Sequence, residues 1–319
     1  MYPRFDVSKI RLKPLSERQH DTLVKDMREL GCTNPLESTD LDELATRIIE
    51  ARRRGSAVIA MMGAHVIKVG MSRFIIDLLE RGFITHLGLN GACVIHDFEL
   101  SLVGGTSESV QRYISAGQFG LWQETGHIND IVKDGASRGY GIGEAVGKAI
   151  YEGEFPHRDI SILAAGYRLK VPVTVHVSIG QDIIHGHPNF DGSSWGRASH
   201  TDFLIFAESV RNLEGGVFLN IGTAVMGPEV YLKALSMARN VAHHEGKRIA
   251  NFTTAVLDMQ PIQSRDYHSE PSKDQPEYYH RFWKTILVRT VRDGGTSYYI
   301  QGDHRHTIAS LWDRLVKNG

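Results

Sequence analysis

The chain contains little cysteine, no long apolar run and no excess of either charge, and each absence argues against a class of protein. Two cysteines in 319 residues, Cys32 and Cys93, argue against a disulfide framework or a cysteine-rich zinc site. Lysine plus arginine number 36 against 37 aspartates and glutamates, so no basic field is present to hold nucleic acid. No apolar run approaches the ~20 residues that cross a bilayer, and the N-terminus lacks the apolar core of a signal peptide. We therefore expect a cytoplasmic protein without a membrane or nucleic-acid partner.

Two regions differ along the chain. Residues 1–52 are polar and charged, with one helical pattern of apolar residues, and predict an N-terminal helical arm whose helix docks on the main body. Residues 53–319 alternate short apolar runs with longer amphipathic segments and predict a second domain. The runs predict strands over residues 57–62, 84–89, 171–177, 217–221, 249–257, 286–291 and 297–300. The segments predict helices over residues 72–80, 92–102, 161–168, 203–213, 228–245 and 307–316. This alternation indicates an α/β fold with a mostly parallel sheet and helices on both faces.

Ligands of such sheets bind outside the carboxyl ends of the strands, so the loops there are the first candidates for a site. Three of these turns offer backbone N–H groups near a helix start, which is what a bound phosphate requires. They are Asn90-Gly91-Ala92, Gly222-Thr223-Ala224, and residues 178–182, which end in Asp182. A glycine-rich stretch over residues 139–147 lacks dinucleotide-binding spacing and follows no clear strand, so it predicts a structural loop.

Histidines are numerous, 16 in all, and several fall in these loops. His96 follows the first turn, and His185 and His187 follow Asp182. Imidazole and carboxylate ligands suit zinc or iron, so these residues are candidate metal ligands. The alternative is that they are loop histidines with ordinary hydrogen bonds. No motif of a serine or cysteine nucleophile is present.

Lys284 follows Phe282 and Trp283 at the start of the predicted strand 286–291. An ammonium in that setting is poorly hydrated, which favours the neutral amine, and a neutral lysine is able to form an imine. The alternative is that the stem packs against the aromatic rings while the charged head reaches water.

Taken in order, these segments resemble deoxyhypusine synthase and its relatives, from about Gly63 to the C-terminus. Residues 89–97 lie where the family has a threonine-alanine-glycine-glycine-valine run, and residues 170–182 are similar to its isoleucine-proline-valine strand and the aspartate-bearing turn. Residues 235–240 resemble its asparagine-rich helix. The most specific likeness is that Lys284 lies eight residues after Pro276 and near a tryptophan, like the family's imine-forming lysine.

The resemblance implies a Rossmann-like, doubly wound fold, NAD as cofactor, and a homotetramer with sites at subunit interfaces. The reaction it implies is oxidation of a polyamine such as spermidine, passage of an aminobutyl group to Lys284 as an imine, and delivery to an acceptor, for which we favour a small amine. The predicted catalytic residues are Lys284, Trp283, Asp182 and His96. The predicted NAD-binding residues are Asn90, Gly91, Ala92, Gly222, Thr223 and Asp182.

Two other functions stay open on the same fold. One is a metal-dependent hydrolase or lyase with a histidine-lined pocket, for which His96, His185 and His187 are the candidate ligands. The other is a non-catalytic tetramer that binds a nucleotide or an amine.

Overall fold

Across residues 2–262 and 266–319, which the computed structural model describes, the fold is built on a six-stranded parallel sheet. The strands of this part of the chain are β1 Thr22–Leu23, β2 Val58–Met62, β3 His86–Asn90, β4 Gly105–Thr106, β5 Val173–His176, β6 Val217–Ile221, β7 Thr253–Asp258 and β8 Thr296–Gln301. The α-helices are α1 Thr39–Arg54, α2 His65–Lys68, α3 Ser72–Glu80, α4 Gly91–Val103, α5 Val110–Ile114, α6 His127–Ser137, α7 Ile142–Glu152, α8 Ile162–Leu169, α9 Gly192–Val210, α10 Met226–His244 and α11 His304–Asn318.

The order of the parallel strands is β5–β3–β2–β6–β7–β8. The chain therefore starts in the middle of the sheet, adds β3 and β5 on one side, and returns to add β6, β7 and β8 on the other. This is the order 3-2-1-4-5-6 of Rossmann folds. The direction of winding reverses between β2 and β6, and the crevice outside their carboxyl ends is where such sheets bind ligands.

Helices cover both faces of the sheet because successive strand residues point to opposite sides. On β2, Val58, Ala60 and Met62 belong to one apolar core, which includes residues of α1, α3, α4, α7, α8 and α11. Ile59 and Met61 belong to a second core, which includes residues of α9 and α10. The predicted class, a Rossmann-like sheet covered on both faces, is confirmed.

The segment predicted as a strand over residues 286–291 is instead helical, and that prediction was wrong. Residues Phe282–Arg289 form a π-helix between β7 and β8. Those two strands pair directly in parallel, and parallel neighbours need a crossover connection, so the run between them cannot itself be a strand. Side chains of the sheet bind its carbonyls: the Thr254 hydroxyl donates to Ile286 at 2.9 Å and the Ser297 hydroxyl donates to Leu287 at 2.7 Å.

The glycine-rich stretch 139–147 is structural, but only its first part is a loop. Helix α7 begins at Ile142, inside the stretch, and packs on β5, which is an edge strand of the sheet. A Cβ on Gly143 would overlap the carbonyl oxygen of Val173, and one on Gly147 would overlap that of Leu163. The glycines therefore allow a helix to approach the backbone of the sheet edge and of α8.

The N-terminal region joins the body of the molecule at two places. Strand β1 pairs antiparallel with β4, and α1 lies in the first core, where Leu41, Leu44 and Ile48 are fully buried. The division into two domains near residue 52 stays a prediction. Within the described residues, no helix combines the length and apolar content that a membrane span would need.

Candidate active site

The crevice at the switch point is formed by the turns after β2 and β6. A Cβ on Gly63 would overlap the Gly222 carbonyl oxygen, so the two strand ends can approach this closely only with glycine at residue 63. Gly222 has a φ of +59°, a left-handed conformation that glycine adopts without strain. The backbone here continues the sheet, since the Gly63 N–H donates to Ile221 at 3.0 Å and the Gly222 N–H donates to Leu257 at 3.0 Å.

The turn after β6 leads into a helix start in which Thr223, and not the N-cap residue, supplies a side-chain acceptor. Its N-cap residue is Val225, which offers no acceptor, whereas the first N–H groups of a helix need one. The Thr223 hydroxyl accepts from the Gly227 N–H at 3.0 Å, and Ala224 and Val225 are exposed. Pro228 has no N–H, so this helix start offers an anion the backbone N–H groups of Ala224, Val225 and Met226.

His304 closes the other side of this crevice and was not predicted from the sequence. It is the first residue of α11, is 2% exposed, and a Cβ on Gly222 would overlap its ring. Its Nδ1 is buried and has no hydrogen-bond partner among the described residues, and burial lowers the pKa of the imidazole. Its ring meets that of His65 edge-on, with centroids 5.9 Å apart. The loop after β8 also follows the carboxyl end of a strand, so the rule that located the other turns could have located His304 from the sequence.

The N-terminus of α4, a predicted phosphate site, already holds two anionic or polar side-chain groups. The Asn90 Oδ1 accepts from the Cys93 N–H at 3.0 Å and caps the helix. The Asp182 carboxylate lies directly against Gly91, where a Cβ would overlap its Oδ2. A carboxylate is favourable at a helix N-terminus but repels a phosphate in the same place. Of the two turns, the one after β6 is therefore the better phosphate site.

Asp182 and His96, from distant parts of the sequence, line one cavity of about 220 Å³ beside the start of α4. Its lining also includes the charged side chains of Arg18, Lys68, Glu99 and Glu108. Burial raises the pKa of Asp182 to about 6 and lowers the pKa of His96 to about 4. At neutral pH the cavity therefore combines a desolvated carboxylate with a neutral imidazole, which suits it to hold a cation and to accept its hydrogen bonds.

The cavity and the switch point are connected by α2. This short helix begins at His65, two residues after Gly63, and ends at Lys68, which lines the cavity. A ligand in the crevice and a second ligand in the cavity would thus lie on either side of one helical turn.

The three histidines proposed as metal ligands do not converge. His185 accepts at Nδ1 from the N–H groups of Gly180 and Asp182, at 3.0 and 3.2 Å, so its proton is on Nε2, 3.8 Å from the Asp182 carboxylate. His187 uses Nε2 to donate to the Gly120 carbonyl at 2.7 Å. In residues 2–262 and 266–319, no three histidine, cysteine, aspartate or glutamate side chains are grouped as a metal would require.

Lys284 and Trp283 lie away from this cavity, in the helical crossover that packs in the second core. Lys284 is 6% exposed, and its Nζ lies 3.9 Å from the centre of the Tyr278 ring. An ammonium over an aromatic face is stabilised as a cation. The Trp283 Nε1 donates to the Ser269 carbonyl at 3.0 Å. The aromatic surroundings that the sequence indicated are therefore present.

Neither protein-family models nor curated proteins match this chain. Solved structures match its fold. A protein described as LOR/SDH, from Methanococcus maripaludis S2, is 15% identical with a TM-score of 0.52, over 91% of this chain and 74% of its own. ArgZ, an arginine dihydrolase from the ornithine-ammonia cycle in Cyanobacteria, is 14% identical with a TM-score of 0.51, over 87% of this chain and 32% of its own.

AgrE, in a ternary complex with ornithine and NAD+, is 14% identical with a TM-score of 0.50, over 89% of this chain and 34% of its own. The chain thus spans about a third of the length of ArgZ and AgrE. A protein described as a deoxyhypusine synthase, from Entamoeba histolytica, is 8% identical with a TM-score of 0.43, too low to add to the comparison. At these identities the similarity shows a shared Rossmann-like fold.

Proposed function

We propose that this chain is an NAD-dependent enzyme that acts on a small amine or polyamine. The observation that carries the proposal is the pairing of a buried carboxylate, Asp182, with a neutral imidazole, His96, in a cavity one helical turn from the switch point of the sheet. The nucleotide would occupy the crevice at Gly63 and Gly222, and the amine would occupy the cavity. The fold relative AgrE, whose complex contains ornithine and NAD+, supports this pairing of ligands.

The residues of the crevice fit a dinucleotide. Exposed backbone at Ala224 and Val225, just before α10, offers N–H groups to the pyrophosphate, while Gly63 and Gly222 allow the two strand ends and His304 to pack closely around this turn. The unpartnered Nδ1 of His304 would receive a hydrogen bond from, or donate one to, the bound nucleotide. Of the predicted NAD-binding residues, Gly222 and Thr223 keep that role here, while Asn90, Gly91, Ala92 and Asp182 border the amine.

In this scheme the chain supplies binding and proton transfer. NAD+, when bound, accepts a hydride from the carbon that bears the amino group. The Asp182 carboxylate holds the ammonium and takes the proton that the nitrogen loses, since its pKa of about 6 is close to neutral pH. The unprotonated nitrogen of His96 accepts a second N–H of the substrate and orients the reacting carbon. One C–H bond and one N–H bond break, the electron pair of the C–H bond leaves with the hydride, and the ammonium becomes an iminium ion.

A charge series at Ala224 tests the nucleotide site, because this residue is exposed and tolerates substitution. We expect the affinity for NAD+ to follow the order Ala224→Lys, Ala224→Gln, Ala224→Glu, with the lysine and glutamate variants about tenfold or more apart. Relative to glutamine, a lysine beside a phosphate should strengthen binding and a glutamate should weaken it, each by about 1 kcal/mol or more. Calorimetric titration with NAD+ would measure the three constants. Equal affinities, or no binding to the unchanged protein, would contradict the assignment.

A second candidate function keeps the lysine imine that the resemblance implies. Its support is the buried position of Lys284 beside Tyr278, together with the likeness that the family's imine-forming lysine also lies near a tryptophan. Lys284 packs in the second core, on the face of the sheet away from the cavity. Aminobutyl transfer through this lysine would therefore require a site completed by another subunit, and for this candidate we also propose a homotetramer.

Borohydride reduction separates the two candidates. If Lys284 forms the imine, borohydride should trap a spermidine-derived adduct on it in the presence of NAD+, and mass spectrometry should locate the adduct. Lys284→Arg should remove the adduct, because a guanidinium stays charged and cannot attack, while sedimentation should show an unchanged oligomer. A monomeric wild-type protein, or an adduct on another lysine, would rule the second candidate out.

A further inference from the structure

A chain of buried hydrogen bonds connects the N-terminal region to His96. Arg18 donates to both oxygens of Glu99, at 2.9 and 2.7 Å, and both side chains are 1% exposed. The Thr106 hydroxyl lies 2.6 Å from Glu99 Oε2 and 2.8 Å from His96 Nδ1. The Thr125 hydroxyl lies 2.6 Å from the other oxygen of Glu99. Every member of this chain except His96 is buried.

The direction of each hydrogen bond follows from the chemistry of the groups. Arginine is always protonated, so its bidentate partner Glu99 is a carboxylate, and a carboxylate only accepts. The single hydroxyl proton of Thr106 must therefore point to Glu99. With its proton used, the Thr106 oxygen can only accept from His96, so the imidazole proton must be on Nδ1. Nε2 is then the nitrogen left, with a lone pair, for a ligand in the cavity.

We infer that Thr106 is a positioning residue that holds His96 as the Nδ1–H tautomer, so that the cavity selects ligands that donate hydrogen bonds. The tautomer follows from the hydrogen bonds alone, whereas the preference for one class of ligand rests on the proposed function. The carboxylates of Asp182 and Glu108 line the same cavity and likewise only accept. Two cations also line the cavity, but Arg18 is neutralised by Glu99, so the carboxylates of Asp182 and Glu108 outnumber the one remaining cation, Lys68. Gln181 offers both donors and acceptors. A protonated amine, with two or three N–H donors, matches these acceptors, whereas a carboxylate or phosphate ligand does not.

The tautomer is open to direct measurement, without any assumption about activity. Solid-state NMR of protein labelled with ¹⁵N-histidine separates the protonated from the unprotonated ring nitrogens, and loss of a signal pair in His96→Gln assigns His96. We expect Nδ1 of His96 to be protonated in the wild-type protein at neutral pH. Burial lowers the pKa of His96 to about 4, so the ring is neutral under these conditions. A wild-type His96 with its proton on Nε2 would overturn the inference by itself.

Variants of Thr106 test whether this residue sets the tautomer of His96. Thr106→Val removes the acceptor at nearly constant volume and should give a mixture of both His96 tautomers, whereas Thr106→Ser should keep the Nδ1–H form. Thr125→Val is the matched control, because it takes an equivalent hydroxyl from Glu99 without touching His96, and it should leave the tautomer unchanged. If Thr106→Val keeps the Nδ1–H form, or Thr125→Val disturbs His96 equally, Thr106 does not set the tautomer.

The preference for ligands that donate hydrogen bonds is tested by the affinity for spermidine. Spermidine should bind Thr106→Ser more tightly than Thr106→Val, by about twofold where the valine variant populates both His96 tautomers equally, because only the Nδ1–H form accepts a hydrogen bond at Nε2. Equal affinities with a changed tautomer would refute the selection of donors. If no amine binds even the wild-type protein while the NMR pattern holds, the proposed function fails and the positioning of His96 stands.

Discussion

Replacement of Asp182 by asparagine should weaken the binding of a protonated amine about tenfold to a hundredfold. Asp182 is the desolvated carboxylate of the cavity, and a hydrogen bond to a charged group contributes about 1.5–3 kcal/mol. Burial raises the pKa of Asp182 to about 6, so the affinity of the wild-type protein should rise as the pH rises through about 6 and the carboxylate ionises. Calorimetric titration with spermidine in the presence of NAD+ measures both effects, and Asp182→Asn should lack the pH step.

The same substitution should leave folding stability unchanged or higher, which distinguishes a binding residue from a structural one. A carboxyl whose pKa is raised in the folded protein stabilises it below the ordinary pKa of 3.8, and that contribution is lost as the pH rises through about 6. Above that pH the folded protein bears the cost of a buried charge, which asparagine avoids. We expect Asp182→Asn to raise the free energy of unfolding there by up to about 2 kcal/mol.

Asp134→Asn is the control for Asp182→Asn, because it removes one negative charge from an exposed position of α6. It should change neither the affinity for spermidine nor the pH step. A fall in amine affinity of similar size in both variants would show a general effect of net charge. Unchanged affinity in Asp182→Asn would mean that the amine binds elsewhere.

Replacement of Arg18 by methionine should destabilise the protein by about 3–5 kcal/mol, because it leaves Glu99 as a buried carboxylate without a counter-charge. Urea unfolding should show a lower midpoint. The double variant Arg18→Met with Glu99→Met should recover much of the loss, since it removes the unpaired charge as well. Limited proteolysis should cut the N-terminal region faster in the single variant, as Arg18 ties that region to α4.

An exposed ion pair provides the comparison. Arg54 pairs with Glu50 on α1 at 3.2 Å, with 61% and 41% of the side chains exposed, and Arg54→Met should cost less than about 1 kcal/mol. If Arg18→Met costs as little, the Arg18–Glu99 pair is not the anchor of the N-terminal region. If the double variant is no more stable than Arg18→Met, the loss arises from packing instead of charge.

Local pattern was sufficient for most elements of the fold. The apolar stripe of residues 72–80 and the glycine at 82 predicted α3 with the bounds seen, and the apolar run 217–221 is β6. Periodicity does not distinguish a short apolar run in a strand from one in a buried helix, and the prediction failed at such a run. Residues 286–291 are such a run, and only the direct parallel pairing of β7 with β8 decides that the segment between them is a helical crossover.

The sequence also predicted where on the sheet to search. Because the carboxyl ends of parallel strands share one edge, the turns at residues 90–92 and 222–224 and the loop ending in Asp182 were expected together, and the structure places all three there. His96 joins Asp182 in one cavity for the same reason, as it lies on the helix that follows the first turn. Lys284 does not join them, because the crossover that holds it packs on the opposite face from α4.

The sequence by itself determined the alternation of strands and helices, the α/β class with a mostly parallel sheet, and the edge of the sheet that bears the candidate site, since these depend on periodicity and on the parallel arrangement. Tertiary structure decided which turn at that edge is open to a phosphate, because the Asp182 carboxylate reaches the start of α4 only in the folded chain. It also decided the state of His96. Arg18 and Glu99 are 81 residues apart in the sequence, and hydrogen bonds between such distant residues leave no local pattern that predicts them.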